Sequence, residues 1–102
     1  MKIIENLSEM ITEEIEDAKK YAECAIKMQD EFPKVASLLH SLSLEEVGHA
    51  NKLHDSVTDI IKEYRKEKGA PPVAMQAIYD YLHSKQILKM AEAKALQDMY
   101  KA

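Results

Sequence analysis

Apolar residues recur at intervals of three and four along three stretches of the chain, which is the spacing of amphipathic helices. The stretches cover about residues 3–30, 33–68 and 72–101. Pro33 begins the second stretch, and Gly69-Ala70-Pro71-Pro72 separates the second from the third. Glycine often follows a helix and proline often starts one. Because both connections are short, the pattern predicts an up-down-up bundle of three long helices, forming a single all-α domain over residues 1–102.

The third stretch is apolar over more than half of its circumference. Its regular stripe, which we expect to face the other two helices, contains Ala74, Ile78, Tyr81, Lys85, Leu88, Glu92, Ala95 and Met99. Further apolar residues fall outside that stripe, namely Met75, Tyr79, Leu82, Ile87, Met90 and Tyr100. A three-helix bundle would leave much of this surface exposed, so we expect a homo-oligomer, either a dimer or larger.

Composition narrows the class of protein. With 2 glycines and 3 prolines among 102 residues, the chain lacks the turn residues of an all-β fold. The net charge of −4 and the absence of a dense basic patch disfavour nucleic-acid binding. No apolar run approaches the roughly 20 residues of a membrane span, so we expect no membrane association. We also expect no signal peptide, because Met1–Glu5 reaches an acidic residue at once, and therefore a cytoplasmic protein.

Charged residues interrupt the apolar stripes where core residues are expected. Glu14 does so in the first helix, Glu46 and His49 in the second, and Lys85 and Glu92 in the third. Folding the helices back on one another places the three glutamates and His49 in one layer, with Lys85 a turn or two away. Buried carboxylates are costly unless they are paired or bound. We therefore expect these side chains to converge on a ligand or a counter-charge inside the bundle.

The Glu46-x-x-His49 spacing suits metal binding. Residues three apart lie on one face of a helix, so both side chains can reach the same ion. Mixed carboxylate and imidazole ligands favour iron, manganese or zinc over calcium or magnesium. A glutamate from a neighbouring helix, here Glu14, can bridge two such ions, as in di-iron carboxylate proteins.

At these residues the sequence resembles the ferritin-like superfamily, and rubrerythrins in particular. The resemblance lies in Glu14 to Tyr21 and in Glu45-Glu46-Val47-Gly48-His49-Ala50, and it covers about the first 65 residues. It implies that Glu14, Glu46 and His49 are metal ligands and that Tyr21 is the aromatic residue beside them. It also implies iron, with one or two ions per site, and redox chemistry with peroxide or oxygen.

The third helix departs from the family pattern, because it carries no second Glu-x-x-His. Two arrangements would complete a site: Glu92 supplies a further carboxylate within the chain, or two chains bring together two sets of Glu14, Glu46 and His49. Glu92 alternatively pairs with Lys85 or Lys89. A second hypothesis is a metal-free scaffold, in which Lys85 neutralises the core carboxylates and the protein serves as a structural or protein-interaction module. The sequence leaves open whether the chain is an enzyme.

Overall fold

Three long helices account for nearly all of the computed structural model, which describes residues 1–101 of the chain. Helix α1 spans Lys2–Met28, α2 spans Pro33–Lys68 and α3 spans Val73–Met99. The molecule is rod-shaped, with extents of 56 × 18 × 18 Å. The predicted all-α bundle is therefore confirmed, and the helix bounds lie within two residues of those expected from the sequence.

The two connections are formed by the glycine and prolines that marked them in the sequence. Pro33 occupies the first turn of α2, where its missing N–H costs no hydrogen bond. At the other end of α2, Gly69 adopts a φ of 79°, and its N–H donates to the Arg65 carbonyl oxygen at 3.0 Å. A side chain disfavours this backbone conformation, so glycine is the residue that allows α2 to end here.

Helices α1 and α2 form a closely packed antiparallel hairpin. The buried positions of α2 are small residues, Ala36, Ser43 and Ala50, which allow the two backbones to approach closely. The buried face of α1 follows the helical repeat and contains Ile4, Ile11, Ile15, Ala18, Ala22 and Ala25. Ile11, Ile15 and Ala50 form the central cluster, against which Leu53, Val57 and Met90 pack.

Two glutamine side chains of α3 form hydrogen bonds to the hairpin. The Gln86 amide donates to the carbonyl oxygen and the hydroxyl of Ser8 at 3.2 and 3.0 Å. Near the other end, the Gln97 amide donates to the Ser43 hydroxyl at 2.7 Å, and that hydroxyl donates to the Ala18 carbonyl oxygen at 2.6 Å. This second set of bonds joins all three helices at one buried point, which fixes the position of α3 along the hairpin.

The face of α3 that meets the hairpin is not the one expected from the sequence. The predicted stripe is exposed: Ile78 is 57%, Tyr81 60%, Leu88 67% and Met99 58% accessible. The buried residues are instead Gln86, Ala93 and Gln97. That prediction was wrong because α3 carries apolar residues on several sides, so periodicity could not identify the side that packs.

None of the three helices, within residues 1–101, is both long enough and apolar enough to span a membrane.

Candidate metal centre

Glu14, Glu46 and His49 meet at mid-height in the α1–α2 hairpin. His49 Nδ1 lies 3.6 Å from Glu14 Oε2 and 3.7 Å from Glu46 Oε2. One possible ligand atom from each residue lies within 4.8 Å of the other two. The convergence follows from two simple features: the i, i+3 spacing of Glu46 and His49 on α2, and the antiparallel register that places Glu14 of α1 opposite them.

The three side chains lie at the edge of the hairpin and are partly open to solvent. The Glu46 side chain is 17% exposed, that of Glu14 29% and that of His49 53%. The expectation of an enclosed apolar interior was therefore wrong. A three-helix arrangement covers only one side of the α1–α2 interface, so residues flanking the other side keep access to water.

The site and α3 lie on opposite sides of the hairpin. His40 stacks on Tyr100 near the end of α3, with ring centroids 4.4 Å apart. His49 follows His40 by nine residues, or two and a half helical turns, and therefore projects to the other side of α2. On α1, Glu16 pairs with Lys89 of α3 at 3.1 Å, whereas Glu14, two residues earlier, projects about 160° away.

This placement explains why Glu92 does not join the group. Its carboxylate accepts a hydrogen bond from Lys19 Nζ at 3.2 Å, at the exposed α1–α3 edge. The expected layer requires α3 to close the bundle over Glu14, but α3 packs on the other side of the hairpin. Pairing of Glu92 with Lys85 or Lys89 is not found either, because Lys89 bonds to Glu16.

Lys85 is also remote from the candidate ligands. Its ammonium group lies over the Tyr81 ring of its own helix, 5.2 Å from the ring centroid. Within residues 1–101, no lysine or arginine forms an ion pair with Glu14 or Glu46. The hypothesis of a lysine-neutralised scaffold therefore has no contact to support it. Tyr21, two turns after Glu14 on α1, is partly buried.

An apolar strip extends along the hairpin in both directions from the three polar residues. Its members share the side of the hairpin that carries the ligands, because each lies a near-whole number of turns from Glu14, Glu46 or His49. Those that remain exposed are Ile3, Met10, Met28, Val35 and Leu38. We call this surface, including the three candidate ligands, the site face.

The donor set is chemically suited to a transition-metal ion. Two carboxylates and one imidazole can supply oxygen and nitrogen ligands of the type that iron, manganese and zinc accept. The two carboxylates also lie together with no protein cation paired to them in the part of the chain that the structure describes. Their mutual repulsion favours binding of a positive ion between them.

Comparison with protein families gives a match over nearly the whole chain. The rubrerythrin family model matches residues 5–102, which includes all three helices and not only the first 65 residues. Neither the comparison with curated proteins nor that with solved structures found a match.

Proposed function

The chain belongs to the rubrerythrin family, and we propose that it binds a transition-metal ion, with iron preferred, through Glu14, Glu46 and His49. The observation that carries this proposal is the approach of one ligand atom from each residue to within 4.8 Å of the others. Glu14 and Glu46 supply carboxylate oxygen atoms, and His49 supplies an imidazole nitrogen. Bound iron would supply one-electron redox chemistry with peroxide or oxygen, the activity that the family resemblance implies.

Three protein ligands leave the coordination of such an ion incomplete, and we propose that a second copy of the chain completes the centre. Paired through their site faces, two chains contribute four carboxylates and two imidazoles. This donor count equals that of dinuclear carboxylate centres, in which four helices supply four glutamates and two histidines. The exposure of His49 and the apolar strip around it support this arrangement, because pairing would cover both.

Metal titration of the purified full-length chain tests the ligand assignment. Apo protein is prepared with chelator, dialysed and titrated anaerobically with Fe²⁺, and in parallel with Mn²⁺ and Zn²⁺, with binding followed by calorimetry. We expect about one ion per chain, and at least tenfold weaker binding in Glu14→Gln, Glu46→Gln and His49→Gln. Glu45→Gln is the matched control, because Glu45 is an exposed neighbour of Glu46 and its loss removes the same charge.

Equal metal affinity in the wild type and the three ligand variants would contradict the proposal. It would also be contradicted if the wild type bound none of the three metals. Because Zn²⁺ generally binds such ligands more tightly than Fe²⁺, the preference for iron is judged by the metal retained in protein purified without chelator. Retention of zinc alone would leave the ligands assigned but would overturn the preference for iron. Mass measurement with and without metal tests the pairing: we expect the paired species to be enriched when metal is bound. Metal binding by chains that remain unpaired would refute the shared centre and retain the three-ligand site.

A further inference from the structure

The outward face of α3 carries a second long apolar strip, separate from the site face. It is the stripe that the sequence analysis had assigned to the monomer core. We call it the α3 outer stripe, and its members are Ala74, Ile78, Tyr81, Lys85, Leu88, Glu92, Ala95 and Met99. All eight residues are exposed in the folded chain, so the most regular apolar pattern of this helix has no partner within it.

The spacing of the α3 outer stripe is that of a coiled-coil seam. Its members alternate by four and three residues over the whole of α3, which places them at the a and d positions of a heptad repeat. Such a repeat keeps its side chains facing one partner helix along the entire contact. Six of the eight positions are apolar and all are exposed, so the face as a whole would gain from burial against a partner helix.

The two charged members of the stripe define which partner fits. Lys85 and Glu92 lie on either side of Leu88, at nearly equal distances along the helix. If a second α3 packs antiparallel to the first, about a two-fold axis close to Leu88, Lys85 of each chain lies opposite Glu92 of the other. The same register places Ile78 opposite Met99 and Tyr81 opposite Ala95. A parallel pair would place lysine against lysine and glutamate against glutamate, which is unfavourable.

We propose that the α3 outer stripe is a homotypic interface, in which α3 of one chain packs antiparallel against α3 of a second copy. The stripe is self-complementary in charge, as an isologous two-fold contact requires. The two Lys85–Glu92 pairs fix the register, because a slip by one heptad separates them. In the single chain Lys85 lies over the Tyr81 ring, and Glu92 forms only an exposed ion pair with Lys19. Neither contact prevents Lys85 and Glu92 from pairing with the opposite residue of a second chain.

This interface does not depend on the metal centre, because the site face lies on the other side of the hairpin. A chain with two different two-fold contacts forms a closed tetramer only when the two axes intersect at right angles. A chain with only the α3 contact forms a dimer. In chelator-treated protein, where no metal supports pairing through the site faces, breaking the α3 contact is expected to convert dimers to monomers. Failure of the proposed metal site would leave this dimer unchanged, so the two failures can be distinguished.

Charge reversal tests the register directly. We expect Lys85→Glu and Glu92→Lys each to weaken self-association by tenfold or more, measured by sedimentation equilibrium of chelator-treated protein. The double variant, which restores opposite charges across the interface, should regain the wild-type mass. An equimolar mixture of the two single variants should also associate, since each then faces its complement. Lys94→Glu is the matched control, because Lys94 is exposed on α3 but lies outside the stripe.

Unchanged masses in both single variants would overturn the proposal, and so would a double variant that stays as weak as the single ones. Cysteine cross-linking, with Cys24 replaced by serine, tests the orientation independently. A mixture of Ile78→Cys and Met99→Cys chains should form a disulfide-linked heterodimer in preference to either homodimer. Preferential cross-linking of Ile78→Cys chains to each other would show a parallel contact and refute the antiparallel register.

Discussion

Replacement of Ser43 by alanine removes only one hydroxyl group, but we expect it to weaken the attachment of α3 substantially. The Ser43 side chain is fully buried, accepts from the Gln97 amide at 2.7 Å and donates to the Ala18 carbonyl oxygen at 2.6 Å. Alanine leaves almost no cavity, but it leaves the Gln97 amide buried without this acceptor. An unsatisfied buried donor costs about 1–3 kcal/mol, so we expect a loss of about 2 kcal/mol in the free energy of unfolding.

The measurement is urea unfolding followed by circular dichroism, at one fixed protein concentration and with chelator present, because assembly and metal both change apparent stability. In a thermal scan, each kcal/mol corresponds to about 4–8 °C for a domain of this size. The matched control is Ser41→Ala, which removes a hydroxyl from an exposed position of the same helix. Its effect should stay within about 0.5 kcal/mol.

A double-mutant cycle with Gln97→Leu tests the physical cause. Leucine removes the amide together with its need for an acceptor, while Ser43 keeps its bond to Ala18. We therefore expect Ser43→Ala to cost at least about 1 kcal/mol less in the Gln97→Leu background than in the wild type. If Ser43→Ala is as stable as Ser41→Ala, or if the two losses simply add, the unsatisfied amide is not the source of the cost and the reasoning fails.

Two further predictions concern the backbone conformation at Gly69 and Gly48 and the ionisation of Tyr79. Gly69→Ala should destabilise the protein by about 1–3 kcal/mol because the φ of 79° is strained for alanine. Gly48→Ala should stabilise it by about 0.5–1 kcal/mol, because Gly48 lies inside α2 and nothing beyond its own stretch of helix is within 4 Å of the added Cβ. Urea titrations of the two variants compare these free energies of unfolding, and equal effects would contradict the assignment. Burial, and secondarily the charge of Glu5, raises the pKa of Tyr79 above 10.0, so the folded state retains the phenol proton more tightly than the unfolded state. Stability from this source is present below pH 10 and is lost as pH rises through the folded-state pKa. Between about pH 9 and 12, the free energy of unfolding should therefore fall more steeply with pH in the wild type than in Tyr79→Phe.

The sequence predicted the helices well because their boundaries are encoded locally. Pro33 and Gly69 act on their own backbone, and the apolar repeat of α1 is clean enough to identify its buried face. Glu14, Glu46 and His49 could be brought together for a similar reason. Their meeting requires only the i, i+3 spacing and the register of one short antiparallel hairpin, both of which follow from the positions of the turn residues.

The position of α3 could not be predicted in this way. Its inner face is held by Gln86 and Gln97, whose bonds to Ser8 and Ser43 join residues 78 and 54 positions apart. A hydrophobic pattern treats both glutamines as surface residues. The pattern therefore selected the outer stripe as the core, and the error carried over to Glu92, which was placed beside Glu14 when it lies at the exposed edge with Lys19.

Metal binding and pairing through the site face are thermodynamically coupled in the proposed centre. A single chain offers three ligands, one of them half exposed, so it would leave a bound ion with positions open to water. The Glu14, Glu46 and His49 side chains of a second chain would occupy those positions, so the pair would bind the ion more tightly than either chain alone. By reciprocity the ion strengthens pairing by the same factor. A titration at protein concentrations below and above the pairing midpoint should therefore give different apparent metal affinities, tighter at the higher concentration. An affinity independent of protein concentration would mean that the centre is built within one chain.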